Sequence, residues 1–171
     1  EQILAEFQRN NIHYPHVLII KSELNNEQLK SLYLQSNMLV APSRGEGFGL
    51  PIGEAMRFGL PVVTTSWGGQ TDFCNSENSW LIDYKFVPSR SHFNLDNSYW
   101  AEPSIDHLSY LLKTVYNHNP DSIENKINNA IKDVSLSTWD LVAKSNLHFV
   151  QNKLPLFNNK AFKLGCVTTW N

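Results

Sequence analysis

No run of apolar residues in this 171-residue chain approaches the roughly 20 that a membrane-spanning helix needs. An excess of positive charge is lacking too. The 14 Lys and Arg stand against 16 Asp and Glu, for a net charge of -2 and a pI near 6.3. No basic stripe is there to take a nucleic acid. Cysteine is scarce. Cys74 and Cys166 lie far apart, in no metal-ligand spacing, and read as free thiols in a reducing compartment, so a cytoplasmic protein is expected. The histidines (His13, His16, His92, His107, His118, His148) form no Ser/His/Asp or metal constellation, and no metal site is expected. The start, Glu1 to Phe7, lacks the basic and apolar segments of a signal peptide and reads as mid-helix, as though cut from something longer. There is no internal repeat and no low-complexity tract.

What is present is an ordinary globular mix, 42% hydrophobic and 18% charged, in a chain long enough for one sizeable core. Ile3, Leu4 and Phe7 share a helical face. His16-Val17-Leu18-Ile19-Ile20 has the pattern of a strand buried on both faces. Asn25 or Asn26 caps a helix carrying Leu29, Leu32 and Tyr33. Strands are expected at Met38 to Ala41, Pro61 to Thr65 and Trp80 to Ile82, with a helix from Pro51 and a short helical piece near Thr71 to Cys74. This alternation means βαβ units and an α/β fold, a Rossmann-like parallel sheet flanked by helices. From Asp83 to Pro103 the pattern breaks into a long structureless stretch studded with Tyr84, Phe86, Phe93, Tyr99 and Trp100. Without interleaved Lys and Arg, these aromatics make a poor base-stacking platform. A helical C-terminal segment follows: Ile105 to Val115, then Ile123 to Ile131, then Trp139 to Val150. The domain is expected to span 1–157, with a tail at 158–171.

The stretch from Ser43 to Gly59 carries the chemistry. Gly45, Gly47 and Gly49 alternate through a loop between strand and helix, Pro51 suits the first helical turn and Gly59 the stop. Free backbone N–H groups and a helix N-terminus at a strand end make a site for an anionic phosphate. Gly47 and Gly49 let a ligand approach the backbone. The usual tenants are excluded. Ile52 stands where Gly-x-Gly-x-x-Gly needs its last glycine, and no Gly-Lys-Ser/Thr follows for a P-loop. Two carboxylates remain, Glu46 in the loop and Glu54 about a turn inside the helix. A carboxylate repels phosphate but accepts strongly from hydroxyls. A polyol flanking a diphosphate, that is a nucleotide sugar, suits the pair.

The run Pro42-Ser43-Arg44-Gly45-Glu46-Gly47-Phe48-Gly49-Leu50-Pro51, then Glu54-Ala55-Met56, Gly59-Leu60-Pro61-Val62-Val63 and Gly68-Gly69, resembles the donor-binding domain of retaining glycosyltransferases of the GT-B fold. It resembles more narrowly the Glu-x7-Glu group that includes bacterial mannosyl- and glucosyltransferases and sucrose synthase. The resemblance covers roughly Val17 to Val115. It implies the C-terminal half of a GT-B fold, with a nucleotide-diphospho-sugar as donor, no cofactor, and an acceptor glycan, lipid or protein. It also implies that Glu46, counted as catalytic, binds the donor sugar, that the N–H groups of Gly47, Phe48, Gly49 and Leu50 contact sugar and phosphate, and that Glu54 holds the ribose. Ser22, Glu23 and Leu24 are weaker candidates for the base, and Arg44, otherwise a surface charge, for a phosphate. Asp72 stands where the family often has Glu and is given no role.

The same resemblance implies missing parts. The family's Arg and Lys pair on the diphosphate, and its N-terminal acceptor domain, lie upstream of such a chain, which alone would be a donor-binding half unable to turn over. Peripheral membrane association of the full-length protein is left open. The alternatives are a non-catalytic nucleotide-sugar-binding or interaction module, or another GT-B enzyme such as a phosphorylase or epimerase.

Overall fold

The computed structural model describes residues 2–89, 97–117, 120–136 and 139–153. They fall into two compact units, Glu1–Leu32 and Tyr33–Asn171.

The first unit holds α1 (Gln2–Arg9) and the start of α2 (Asn26–Gln35). Asn25 caps α2 reciprocally. Its side-chain oxygen accepts from the Gln28 N–H at 2.9 Å, and the Gln28 side chain accepts from the Asn25 N–H at 3.0 Å. The strand expected at His16 to Ile20 does not form. Val17, Leu18, Ile19 and Ile20 are 45–75% exposed, and among the described residues no strand pairs with them. An apolar run specifies burial only when neighbouring strands supply its hydrogen bonds, which no local pattern can guarantee.

The second unit is built on a parallel sheet in the order β1 (Leu39–Ala41), β2 (Val62–Thr65), β3 (Trp80–Ile82). β2 is central, and all four of its residues are buried. The crossover from β1 to β2 is α3 (Leu50–Arg57), which packs on both strands and on α5 (Pro120–Ser135). α3 stops as expected. Gly59 takes the left-handed conformation (φ 73°), with its N–H on the Met56 carbonyl and the Leu60 N–H on that of Ala55. α4 (Ile105–Asn117) packs on β2 and β3, closing a core of Val63, Trp80, Ile82, Leu111 and Val115. α5 is tied to β3 and the loop before it: Asn78 donates to Asp133 at 2.7 Å, and the Lys126 ammonium lies 5.0 Å from the ring centroid of Trp80 in β3. α6 (Trp139–Lys153) completes the helical segment. None of the described helices is long and apolar enough to cross a membrane. Residues 154–171, and with them the tail expected at 158–171 and Cys166, lie outside the described residues, as do residues 90–96, with Phe93.

The stretch expected to lack structure is a β-hairpin, β4 (Tyr84–Pro88) paired antiparallel with β5 (Tyr99–Pro103). Tyr-Lys-Phe-Val and Tyr-Trp-Ala-Glu are aromatic and β-branched residues with polar ones between them. That is strand chemistry, obscured by the polar insert between the two runs.

Candidate functional site

The loop from Pro42 to Gly49 leaves the carboxyl end of β1 and enters α3. Gly49, at the N-cap, is left-handed (φ 89°), and a Cβ there would lie 3.0 Å from the Gln70 Cβ and 3.3 Å from the Glu46 Cγ. Only glycine fits both demands. No side-chain hydrogen bond caps α3 and Pro51 sits in its first turn, so the helix presents an uncapped N-terminus to the loop. Gly45 and Gly47 differ from Gly49. Each faces open space, where a Cβ would touch nothing within 4 Å.

Gly68 and Gly69 belong to this loop physically, though twenty residues later. The Gly69 N–H donates to the Glu46 carbonyl at 2.8 Å, and a Cβ on Gly69 would collide with the Gly47 carbonyl. The expected short helical piece is a 3-10 turn, Gly69–Asp72. Its Gln70 is fully buried and donates to the carbonyls of Thr65 and Trp67, both at 2.9 Å. The double glycine thus lets one turn seat backbone-to-backbone on the other.

Glu46 is half-buried, with Ser43 Oγ 3.4 Å from its carboxylate. Glu54 lies one turn into α3, also half-buried, and receives a 3.0 Å hydrogen bond from the Tyr33 phenol. Tyr33 is itself buried and stacks on Phe58 at 5.4 Å. Burial, with the Glu54 carboxylate second, pushes the Tyr33 phenol up to about 12. By sequence, Tyr33 reads only as an apolar helix position. An aromatic at helical spacing carries no local sign that its hydroxyl has a carboxylate partner.

A cavity of about 120 Å³ is lined by Phe48, Leu50, Gly53, Glu54, Arg57, Phe73 and Val134. It therefore gathers Phe48, Leu50 and Glu54 of the expected donor-binding residues, and Glu46 is not in its lining. Ser22, Glu23 and Leu24 lie in the first unit. Arg44 is engaged by the hairpin. Its guanidinium makes a bidentate pair with Glu102 at 2.5 and 2.9 Å, lies 4.7 Å from the Trp100 ring centroid, and its carbonyl accepts from the Ala101 N–H. That arrangement makes Arg44 the clamp between the glycine loop and β5.

Residues 6–87 match the family of glycosyl transferases group 1. That stretch carries the chain's likeness to a glycosyltransferase group 1 domain. The match takes in both glycine turns and ends within β4, so β5 and the last three helices lie beyond it. An uncharacterized glycosyltransferase of Methanocaldococcus jannaschii is 29% identical over 136 residues, 78% of this chain and 30% of that protein. Sucrose synthase of Melioribacter roseus is 33% identical over 104 residues, 56% of this chain and 13% of that protein. Among solved structures, sucrose-phosphate synthase from Thermosynechococcus elongatus superposes with a TM-score of 0.62 at 20% identity, covering 91% of this chain and 34% of that one. That likeness shows the fold, an α/β architecture of the GT-B kind. The chain spans about a third or less of the lengths of these proteins.

Proposed function

We propose that this chain is the donor-binding half of a retaining glycosyltransferase, which takes a nucleotide-diphospho-sugar and passes the sugar to an acceptor in the cytoplasm. The observation that carries the reading is the placement of two carboxylates around one uncapped helix N-terminus. Glu46 stands in the loop ahead of α3, and Glu54 is held one turn inside it by Tyr33. The open faces of Gly45 and Gly47 leave room for a ligand to lie along the loop.

In this reading Glu46 accepts hydrogen bonds from hydroxyls of the donor sugar. The N–H groups of Gly47, Phe48, Gly49 and Leu50 hold sugar and phosphate, and Glu54 accepts from the ribose hydroxyls. As the sugar–phosphate bond breaks, negative charge gathers on the departing diphosphate. The N-terminal end of α3 stabilises that charge through its helix dipole, together with the N–H groups of the glycine loop that lead into it. The further cations that the diphosphate needs would come from the rest of the full-length protein.

The test is isothermal titration of the chain with UDP, GDP and ADP, alone and as their sugar conjugates. Binding of one nucleoside diphosphate, weakened about tenfold by Glu54→Ala, is the expected result, since a hydrogen bond to a charged group contributes about 1.5 kcal/mol or more. Equal heats for all three that Glu54→Ala leaves unchanged would sink the proposal.

A further inference from the structure

The loop and α3 leave one exposed surface of the second unit without a role. The register of the hairpin puts Tyr84 and Phe86 on one face of β4, and Tyr99, opposite Pro88, on the same face of β5. Trp67, in the turn after β2, joins them. Its ring meets Phe86 edge-on at 4.9 Å and lies 5.8 Å from Tyr84, while Tyr84 and Phe86 are 5.3 Å apart at 75°. These rings brace one another without being buried. Trp67 is 45% exposed, Phe86 52% and Tyr99 61%. The hairpin is also held on its opposite face, where the Arg44 clamp acts through Trp100 and Glu102.

We infer that this aromatic face is this domain's share of the acceptor site, and that the acceptor is a glycan whose neutral pyranose rings stack on it. The inference rests on the reading of the glycine loop as a nucleotide-sugar site. Its first support is continuity. Trp67 immediately precedes Gly68 and Gly69, and Gly69 is hydrogen-bonded to the Glu46 carbonyl, so the face adjoins the end of the loop assigned to the transferred sugar. Its second is chemistry. One side of a pyranose is a patch of C–H bonds with partial positive hydrogens, which suits the negative face of an aromatic ring, and the phenols of Tyr84 and Tyr99 can exchange hydrogen bonds with sugar hydroxyls. Charge supplies the third. By register the face carries Tyr84, Phe86, Pro88, Tyr99, Ala101 and Pro103, none charged, so nothing on it would select an anionic headgroup or a nucleic acid.

Size decides against a protein partner. Three half-exposed aromatic side chains offer roughly 300 Å², well below the roughly 800 Å² per partner of a stable protein interface.

Saturation-transfer NMR of the chain with maltotriose, cellotriose and mannotriose tests this directly. Saturation should reach the ring C–H protons of at least one trisaccharide. It should fall at least about fivefold in Trp67→Ala and in Phe86→Ser, as expected for loss of a stacked ring, and hold in Lys85→Ala on the opposite face. Thermal melts of both aromatic variants keep unfolding from passing as lost binding, and Tyr99→Ser, at the most exposed ring, replaces either that fails to fold. No saturation with any of the three, or saturation that survives the aromatic variants, overturns the inference. So does a dimer in sedimentation that Trp67→Ala dissociates, since the face would then bind a second copy. The nucleoside diphosphate titration separates the two readings. Nucleotide binding without trisaccharide binding defeats this inference alone. Trisaccharide binding without nucleotide binding defeats the donor reading and, with it, the acceptor role of this face.

Discussion

The phenol of Tyr33 donates a 3.0 Å hydrogen bond to the carboxylate of Glu54, across 21 residues of chain. The carboxylate has acceptor capacity left for a ligand, and its orientation is set before one arrives. Tyr33 is in turn held by burial and by its stack on Phe58. Tyr33→Phe should therefore weaken nucleoside diphosphate binding by several-fold, less than Glu54→Ala, with little further loss when the two are combined. A double-mutant cycle by titration calorimetry checks this. Fully additive losses would show that the hydrogen bond does not position Glu54.

Alkaline pH probes the same contact. The Tyr33 phenol is raised from its usual 10 to about 12 in the folded chain, and in the unfolded chain it ionises near 10. Its contribution to stability is therefore complete below pH 10 and is lost as the pH climbs through 12. Cys74, buried and also pushed up to about 12, contributes in the same direction from about pH 9. Denaturant midpoints should fall over this window, and fall less in Tyr33→Phe. An identical pH slope in that variant would count against the coupling.

Glu46→Gln keeps the shape of the side chain and removes its charge. In the full-length protein it should lower kcat by about 100-fold or more while nucleoside diphosphate affinity changes little, if the carboxylate acts on the sugar as charge develops. Transfer assays with the donor identified by titration measure both. Unchanged turnover would remove Glu46 from the reaction.

Gly69 and Gly47 should separate folding from binding. Gly69→Ala drives a Cβ into the Gly47 carbonyl and should cost roughly 3 kcal/mol, the upper part of the overpacking range, or about 6–12 °C in Tm. Gly47→Ala, facing open space, should leave Tm within about 1 °C. It should still weaken nucleotide binding if the donor lies along the loop as proposed, because its methyl group would then stand in the ligand's path. Scanning calorimetry and titration together give the answer.

The Arg44 clamp predicts an acid-side effect. Arg44 holds the Glu102 carboxyl below the usual carboxylate range, through the hydrogen-bonded pair first and charge attraction after it. A depressed carboxyl contributes stability above its unfolded pKa and loses it as pH falls through the folded one. Both groups face solvent, so the effect is small. Arg44→Ala should flatten the acid limb of the stability curve slightly and red-shift Trp100 emission as the hairpin loosens, with nucleotide affinity unchanged. A large drop in affinity would instead return Arg44 to the phosphate site.

Much of this protein was determined locally. The apolar runs at Leu39–Ala41, Val62–Thr65 and Trp80–Ile82 are strands wherever the sheet closes around them. Gly59 stops α3 because the left-handed turn it makes is set by its own lack of a side chain. Gly49, also left-handed, turns the loop into α3 for the same local reason. Pairing and proximity were decided only by the tertiary structure. Val17 to Ile20 has strand composition and no partner. Tyr84–Pro88 and Tyr99–Pro103 have each other, and so form a hairpin where a long loop was expected. The partnership of Tyr33 with Glu54, the seating of Gly69 on Gly47 and the engagement of Arg44 by Glu102 are contacts between residues about 20 to 60 positions apart in the chain. They depend on where the packed helices and strands bring those residues, and no local spacing encodes that.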